Sequence, residues 1–333
     1  MKSRFTRRSL LGGAAVGAAA LSLPACSRFS GGDGDTTLLM STSQSENAPI
    51  VQGLQAWADA VAEESDGALT VEIHPSGSLG SDEDVIEQAL QGANIALLTD
   101  GGRMSNYVAD IGIIGMAYIT DSYDDVVAIT ESDTFKGWDE ELLGQNIKML
   151  AYNWYDGPRN FYTNTLIEAP EDLGGLRIRT PGAPAWAESV RSLGAEPIAM
   201  SWGETYNAMQ SGAIDGVEAQ STSAYPSSTF EVAANMARTE HFHLAQFIMA
   251  GNGWFESIPE DLRTVLVDTC KAQGTENAQL VIDKGGEFED LMAEEGLEIN
   301  EPDKAPFIEA SQAAYDKLGF TELRDQLWSE IGK

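Results

Sequence analysis

From residue 173 to residue 187 the chain carries two arginines, Arg177 and Arg179, and no acidic residue. A guanidinium without a local carboxylate partner is available to an outside anion. Its planar fork can hold a carboxylate through two parallel hydrogen bonds. The competing role is a salt bridge to a distant acid, because the chain contains 52 Asp and Glu residues. Further on stand Trp202, suited either to an apolar ligand face or to a packing role at a hinge, and the group Glu218-Ala219-Gln220. A cation, an aromatic face and polar groups fit recognition of a small carboxylate. They do not fit catalysis. No H-E-x-x-H, G-x-S-x-G or C-x-x-C pattern occurs. His241 and His243 share one strand face, but no third zinc ligand follows at a usable spacing. Gly251-Asn252-Gly253 lacks the third glycine of a dinucleotide loop. No metal, no cofactor and no enzymatic activity are expected.

The elements that must position these residues alternate strand and helix. Residues 176–179 form a short strand stopped at Thr180-Pro181, since a residue before proline is driven out of the α region. Residues 183–193 form a helix closed by Gly194, and residues 197–200 a second strand. A helix over 203–210 and a strand over 214–219 complete the unit. Such units bind ligands beyond the carboxyl ends of their strands, which brings Arg179, Trp202 and Gln220 to one crevice. Upstream, strands are expected at 36–40, 69–74 and 94–99, and helices at 49–64 and 82–90, the latter capped by Ser81. Asp100 and Arg103 follow the third strand, where they touch polar ligand groups or pair with each other. Residues 147–154 and 159–163 are expected as two strands separated by a turn at Tyr155-Asp156-Gly157-Pro158, with Trp154 and Arg159 on either side of it. Trp154 and Trp186 offer further aromatic faces. A long helix capped by Ser257 and Glu260 is expected to break at Gly285-Gly286, and the tail from 306 to 327 is helical. The segments from Asp84 and from Glu204 share a helix ending in Ala-[Leu/Met]-Gln, then a glycine and a strand. Chance aside, this echo supports two similarly built α/β lobes with a cleft between them.

The chain has 333 residues and a net charge of −32. Lys2, Arg4, Arg7 and Arg8 precede an Ala/Gly/Leu run, so residues 1–25 read as a signal peptide, and Thr6-Arg7-Arg8-Ser9-Leu10-Leu11 matches a twin-arginine signal. Leu23-Pro24-Ala25-Cys26 resembles a lipobox with Cys26 as the acylated residue; an ordinary cleaved signal is the alternative. Residues 26–35 form a Gly/Ser/Asp-rich tether. From Cys26 onward the charge is −36, the leader's +4 being removed, which excludes nucleic acid and disfavours anionic lipid. Cys270, the other cysteine, is expected to be a buried apolar group.

The series GLRIRTPGA, AEPIAMSWGETYNAMQSGAIDGVEA and YPSSTFEVA resembles the solute-binding subunits of TRAP transporters, from about Leu38 to the end of the chain. The resemblance implies a periplasmic-binding-protein-like fold, with lobe I at 36–156 plus about 245–284 and lobe II at 157–244 plus about 285–333. It makes Arg179 the carboxylate grip and Arg159, after Gly157-Pro158, a second contact. Trp202, Asp100, Arg103, Gln220 and Trp154 complete the expected site. The implied ligand is a small organic anion, a sugar acid or C4-dicarboxylate, delivered to a small and a large membrane subunit by a lipid-anchored, extracytoplasmic monomer. Another importer, a chemoreceptor or an exported enzyme are the alternatives. Relatives that bind sialic acid carry asparagines where Gly182 and Ala219 stand, and metal-using relatives carry a tryptophan at Ala219. Both departures argue against those ligands.

Overall fold

The computed structural model describes residues 36–333. The signal peptide, Cys26 and the tether lie outside the described residues. Two runs of strand and helix build the lobes from similar parts. In lobe I, β1 (Thr36–Ser41), β2 (Leu69–His74) and β3 (Ile95–Thr99) lie parallel, with β1 in the middle. Helices Pro49–Glu64 and Asp82–Leu90 join them. Ser81 caps the second helix through a reciprocal bond with Asp84, satisfying end groups that have no partner inside the helix. In lobe II, β5 (Arg177–Thr180), β6 (Glu196–Ala199) and β7 (Gly216–Gln220) repeat the arrangement with β5 in the middle.

Two further strands belong to both lobes. β4 (Ile147–Thr163) and β8 (Asn235–Gly251) are 17 residues each and pair antiparallel throughout. β8 pairs with β3 at one end, β4 pairs with β7 at the other, and the short β9 (Glu298–Asn300) flanks β8. The turn expected at Tyr155-Asp156-Gly157-Pro158 is therefore a bulge inside one continuous strand. Pairing of Tyr155 with Ala245 and of Pro158 with His243 sets Asp156 and Gly157 against Leu244 alone, one residue more on β4 than on β8. Gly157 takes φ +101°, and Pro158, with no N–H, loses nothing at an irregular pair.

Alternation along the strands sorts the core. On β3, Ile95 and Leu97 face one cluster with Phe135 and Leu142, while Ala96 and Leu98 face another with Leu54 and Trp57. Lobe II does the same, with Phe161 in one cluster and Tyr162 in the other. Helix Glu260–Glu294 runs unbroken through Gly285-Gly286, contrary to expectation. Two glycines cost about 1 kcal/mol each against alanine, and buried Val281 and Met292 on the flanking turns outweigh that. Ser257 does not cap this helix; its hydroxyl donates to the Trp254 carbonyl at 2.6 Å. Cys270 is fully buried on it, and burial raises its thiol pKa. The tail divides between the lobes. Helix Ala305–Leu318 inserts Phe307 into a lobe II cluster, whereas Leu327 of helix Thr321–Ile331 joins Phe135 in lobe I, and Trp328 donates to the Ile119 carbonyl at 2.9 Å.

Two glycines of the long helix should respond with opposite signs. A Cβ at Gly274 would lie 2.9 Å from the Trp154 ring, so Gly274→Val should destabilise by about 1–3 kcal/mol. Nothing lies within 4 Å of a Cβ at Gly285, so Gly285→Ala should stabilise by roughly 0.5–1 kcal/mol. Denaturant titration of both variants checks this; equal shifts would contradict the packing described.

Candidate ligand-binding cleft

The carboxyl ends of β1, β3, β5 and β7 converge on a narrow cleft with a cavity volume of about 40 Å³. The space is a slot. Arg179, Arg159, Trp202, Asp100, Arg103 and Gln220 all line it. Trp154 does not. Its place on β4 turns it to the core, where the indole donates to the Cys270 carbonyl at 3.1 Å, and Trp186 forms the aromatic wall instead.

The three arginines differ in how many donors they have left. A guanidinium carries five N–H groups. Arg159 spends four of them: Nε and Nη2 on the Glu218 carboxylate, Nη2 also on the Glu218 carbonyl at 2.7 Å, and Nη1 on Gln220 Oε1 at 2.8 Å. Its plane lies over Trp186, 5.1 Å from the ring centre. Arg103 is held by Asp100, by Asp82 at 2.8 Å and by Glu83 at 3.6 Å. Burial opposes its charge, but these acids outweigh burial and raise its pKa. Arg179 donates only from Nε, to the Met200 carbonyl at 2.9 Å, and stacks 5.3 Å from the Trp202 ring. Both its terminal amino groups lack a protein partner among the described residues. The side chain is 3% exposed, and burial pushes its pKa down to about 9, with Arg159 and Arg103 adding repulsion. Arginine stays charged in proteins, so the shift measures how little the surrounding protein compensates this cation.

Several lining residues carried no signal that the sequence reading used. Ser43 and Gln44 directly follow β1, where the strand-end rule would have found them. Asp82 reads as a helix-start acid, yet it is buried beside Arg103, and burial raises its pKa. Gln246 sits mid-strand on β8. Its Oε1 is buried without a hydrogen-bond partner and it lines the cleft, which marks an acceptor for a ligand hydroxyl.

Behind the slot lies a second polar layer. His241 stacks on Phe161, shares a 2.7 Å hydrogen bond with the Thr239 hydroxyl and stands 3.9 Å from Glu218. Burial and then Arg159 hold its pKa well below the usual value, so it is neutral. His243 hydrogen-bonds Tyr155 at 2.8 Å. Among the described residues no group of three or more His, Cys, Asp and Glu could hold a metal ion. Asp156, at the strand bulge, accepts from Gln44 at 2.9 Å and from Gln220, and the Thr222 hydroxyl donates to its backbone carbonyl at 2.7 Å. Burial pushes the carboxyl up to about 7, against the lowering pull of Gln220, Arg159, Thr222 and Gln246.

A carboxyl raised on folding binds its proton more tightly in the native state, so its contribution is most favourable at low pH and is lost as pH rises. For Asp156 the loss starts near pH 4, around the unfolded value, and is complete above about 7; three units correspond to roughly 4 kcal/mol. Asp156→Asn removes this titration. The stability of the variant relative to wild type should therefore climb across that window, and a difference flat from pH 4 to 8 in denaturant titrations would contradict the shift.

The chain resembles known proteins over most of its length. A family model described as bacterial extracellular solute-binding protein, family 7, matches residues 40–321. The sialic acid-binding periplasmic protein SiaP of Vibrio cholerae is 26% identical over 283 residues, covering 85% of this chain and 88% of that protein. The C4-dicarboxylate-binding periplasmic protein DctP of Rhodobacter capsulatus is 25% identical over 324 residues, 94% of each. Among solved structures, a TRAP periplasmic solute binding protein from Ochrobacterium anthropi with bound L-fuconate superposes with a TM-score of 0.87 at 29% identity, covering 90% of this chain and all (100%) of that one. Another, from Actinobacillus succinogenes with bound L-galactonate, gives 0.85 at 28% identity, covering 89% and 99%. The chain belongs to family 7 of the bacterial extracellular solute-binding proteins and is the extracytoplasmic solute-binding subunit of a TRAP transporter, a binding protein and not an enzyme.

Proposed function

We propose that the cleft captures a sugar acid, a monocarboxylate bearing several hydroxyls, and that the protein delivers it to a small and a large membrane subunit. The observation that carries this reading is the open edge of Arg179: a buried cation whose terminal amino groups have no partner among the described residues and whose plane is fixed by Met200 and Trp202. A carboxylate set against that edge supplies the missing charge and two parallel hydrogen bonds. Arg103 is already neutralised by three acids, and Arg159 keeps one free N–H, so a second full carboxylate finds no equivalent fork. Ser43, Gln44, Ser223 and Gln246 instead offer neutral partners for hydroxyls. The relatives solved with L-fuconate and L-galactonate support this choice. A C4-dicarboxylate is the second reading, favoured by the ligand named for the Rhodobacter capsulatus relative, with the last N–H of Arg159 taking its second carboxylate.

A six-carbon acid is larger than the slot, so the lobes must part to admit it. The bulge at Asp156-Gly157 is where we place the bend, and the protein acts as a monomer. We also propose export through the twin-arginine signal and anchoring through acylated Cys26. Cys26→Ser should then appear in the soluble rather than the membrane fraction; retention in the membrane with no lipid by mass spectrometry would remove the anchor.

Titration calorimetry with L-fuconate, L-galactonate, D-glucuronate, succinate and malate tests the ligand class. At least one sugar acid should bind, and Arg179→Ala should weaken it by about 2–5 kcal/mol, since the ligand carboxylate is left buried and unpaired. Arg179→Lys should fall between, keeping the charge without the fork. Binding of dicarboxylates alone would select the second reading. Near-wild-type affinity in a folded Arg179→Ala protein would move the anion grip to another residue.

A further inference from the structure

Gln44 and Gln220 approach the same carboxylate oxygen from opposite lobes. The backbone of Gln44 belongs to lobe I, where its carbonyl accepts from Ser76 N at 2.8 Å. Its side chain leaves that lobe: Nε2 donates to Asp156 Oδ2 at 2.9 Å, and Oε1 accepts from the Ser223 hydroxyl of lobe II at 2.7 Å. Gln220, at the end of β7, donates Nε2 to the same Oδ2 and turns Oε1 to Arg159 Nη1 at 2.8 Å. Asp156 is fully buried in the bulge between the paired residues Tyr155 and Pro158, a device that re-aims a side chain out of strand alternation.

A glutamine amide has two faces, one donating and one accepting, and nothing in its shape decides which way it turns. Oδ2 decides for both. With two amide donors on Oδ2, any carboxyl proton belongs on Oδ1, so Oδ2 stays an acceptor and each glutamine presents its NH2 to Asp156 and its oxygen to the far side. For Gln220 the far side is the guanidinium of Arg159. A flipped amide would set NH2 against N–H there, and Arg159 would lose a bond that fixes its plane over Trp186. For Gln44 the far side is Ser223, the link between the lobes.

We propose that Asp156 is a positioning residue for the cleft: by accepting from Gln44 and Gln220 together, it couples closure of the lobes to the orientation of Arg159. The assignment rests on the cleft being the anion site, but the coupling exists without a ligand. It makes the bend between the lobes a polarised relay, Ser223 to Gln44 to Asp156 to Gln220 to Arg159, rather than a passive joint. The groups facing Asp156 are neutral amides and hydroxyls from Gln44, Gln220, Thr222 and Gln246; Arg159 is the charged one, and the phenol of Tyr155 stands next in the strand.

The test compares Asp156→Ala with Asp156→Asn in the full chain by two readouts: D-glucuronate affinity, and the ligand-free radius of gyration from small-angle scattering. Asparagine can set its Oδ1 where Oδ2 stands and still accept from both glutamines; alanine cannot. Outer groups that orient contact residues are typically worth about tenfold or more in affinity, so Asp156→Ala should lose about that and give a larger ligand-free radius. Asp156→Asn should restore both to near wild type, which a residue needed only for its charge would not do. Asp156→Ala at wild-type affinity and radius, or Asp156→Asn as impaired as Asp156→Ala, would overturn the proposal. Should Asp156→Ala fail to fold, Gln44→Ala removes the lobe I limb alone; an unchanged radius in that variant overturns it equally. If wild type does not bind D-glucuronate, that ligand is rejected, while the ligand-free radii still decide the role of Asp156.

Discussion

Taking a guanidinium out of water costs several kcal/mol unless opposite charge and hydrogen bonds offset it. Three of them meet at the centre of this protein. Glu218 and Gln220 offset Arg159, and Asp100, Asp82 and Glu83 offset Arg103. Arg179 is left with one carbonyl and one ring face. Much else in the cleft follows from that difference: the saturated pair shapes rigid walls, and the unsaturated one is where charge from outside is stabilising. The surplus of acid over the surface does not contradict capture of an anion. Exposed charges are screened beyond about 8 Å in physiological salt, whereas a buried fork acts at contact.

Motion and binding share the same covalent parts. β4 and β8 pass through both lobes, and their pairing is irregular along part of that length. The pairing shifts register at four places between Met149 and Phe161; one of them carries Asp156 and Gly157, and Arg159 lies two residues beyond. The tail adds a second tie, because helix Ala305–Leu318 sets Phe307 in a lobe II cluster and Ala314 and Tyr315 in the lobe I cluster that Leu327 also joins. The long helix Glu260–Glu294 lies along β4 and stiffens the same side.

Local pattern was enough for the two βαβ halves. Period-two apolar runs, glycine helix ends and the Ser81 cap are short-range signals, and the strands and helices start and end no more than two residues from where they point. The strand-end rule pointed Arg179, Trp202 and Gln220 to one crevice from spacing alone, and the family resemblance added Asp100. The rule was silent about residues inside a strand. Gln246 reaches the cleft only because β8 crosses both lobes, and Trp154 leaves it because strand alternation turns that side chain toward Cys270.

What the sequence by itself determined is the inventory and its approximate address: an α/β architecture built twice, an arginine without a nearby acid, and no constellation for catalysis. Which arginine stays free was decided only by the tertiary structure. Arg159 and Glu218 are 59 positions apart, Gln44 and Asp156 are 112, and Arg103 collects acids from both the helix start and the strand end. Composition offers 52 acids to 20 Lys and Arg, so every arginine has candidates in plenty. Pairing is a matter of distance and geometry in three dimensions. The same holds for the bulge, where four turn-forming residues continue a strand because partners on β8 pair with both of its flanks.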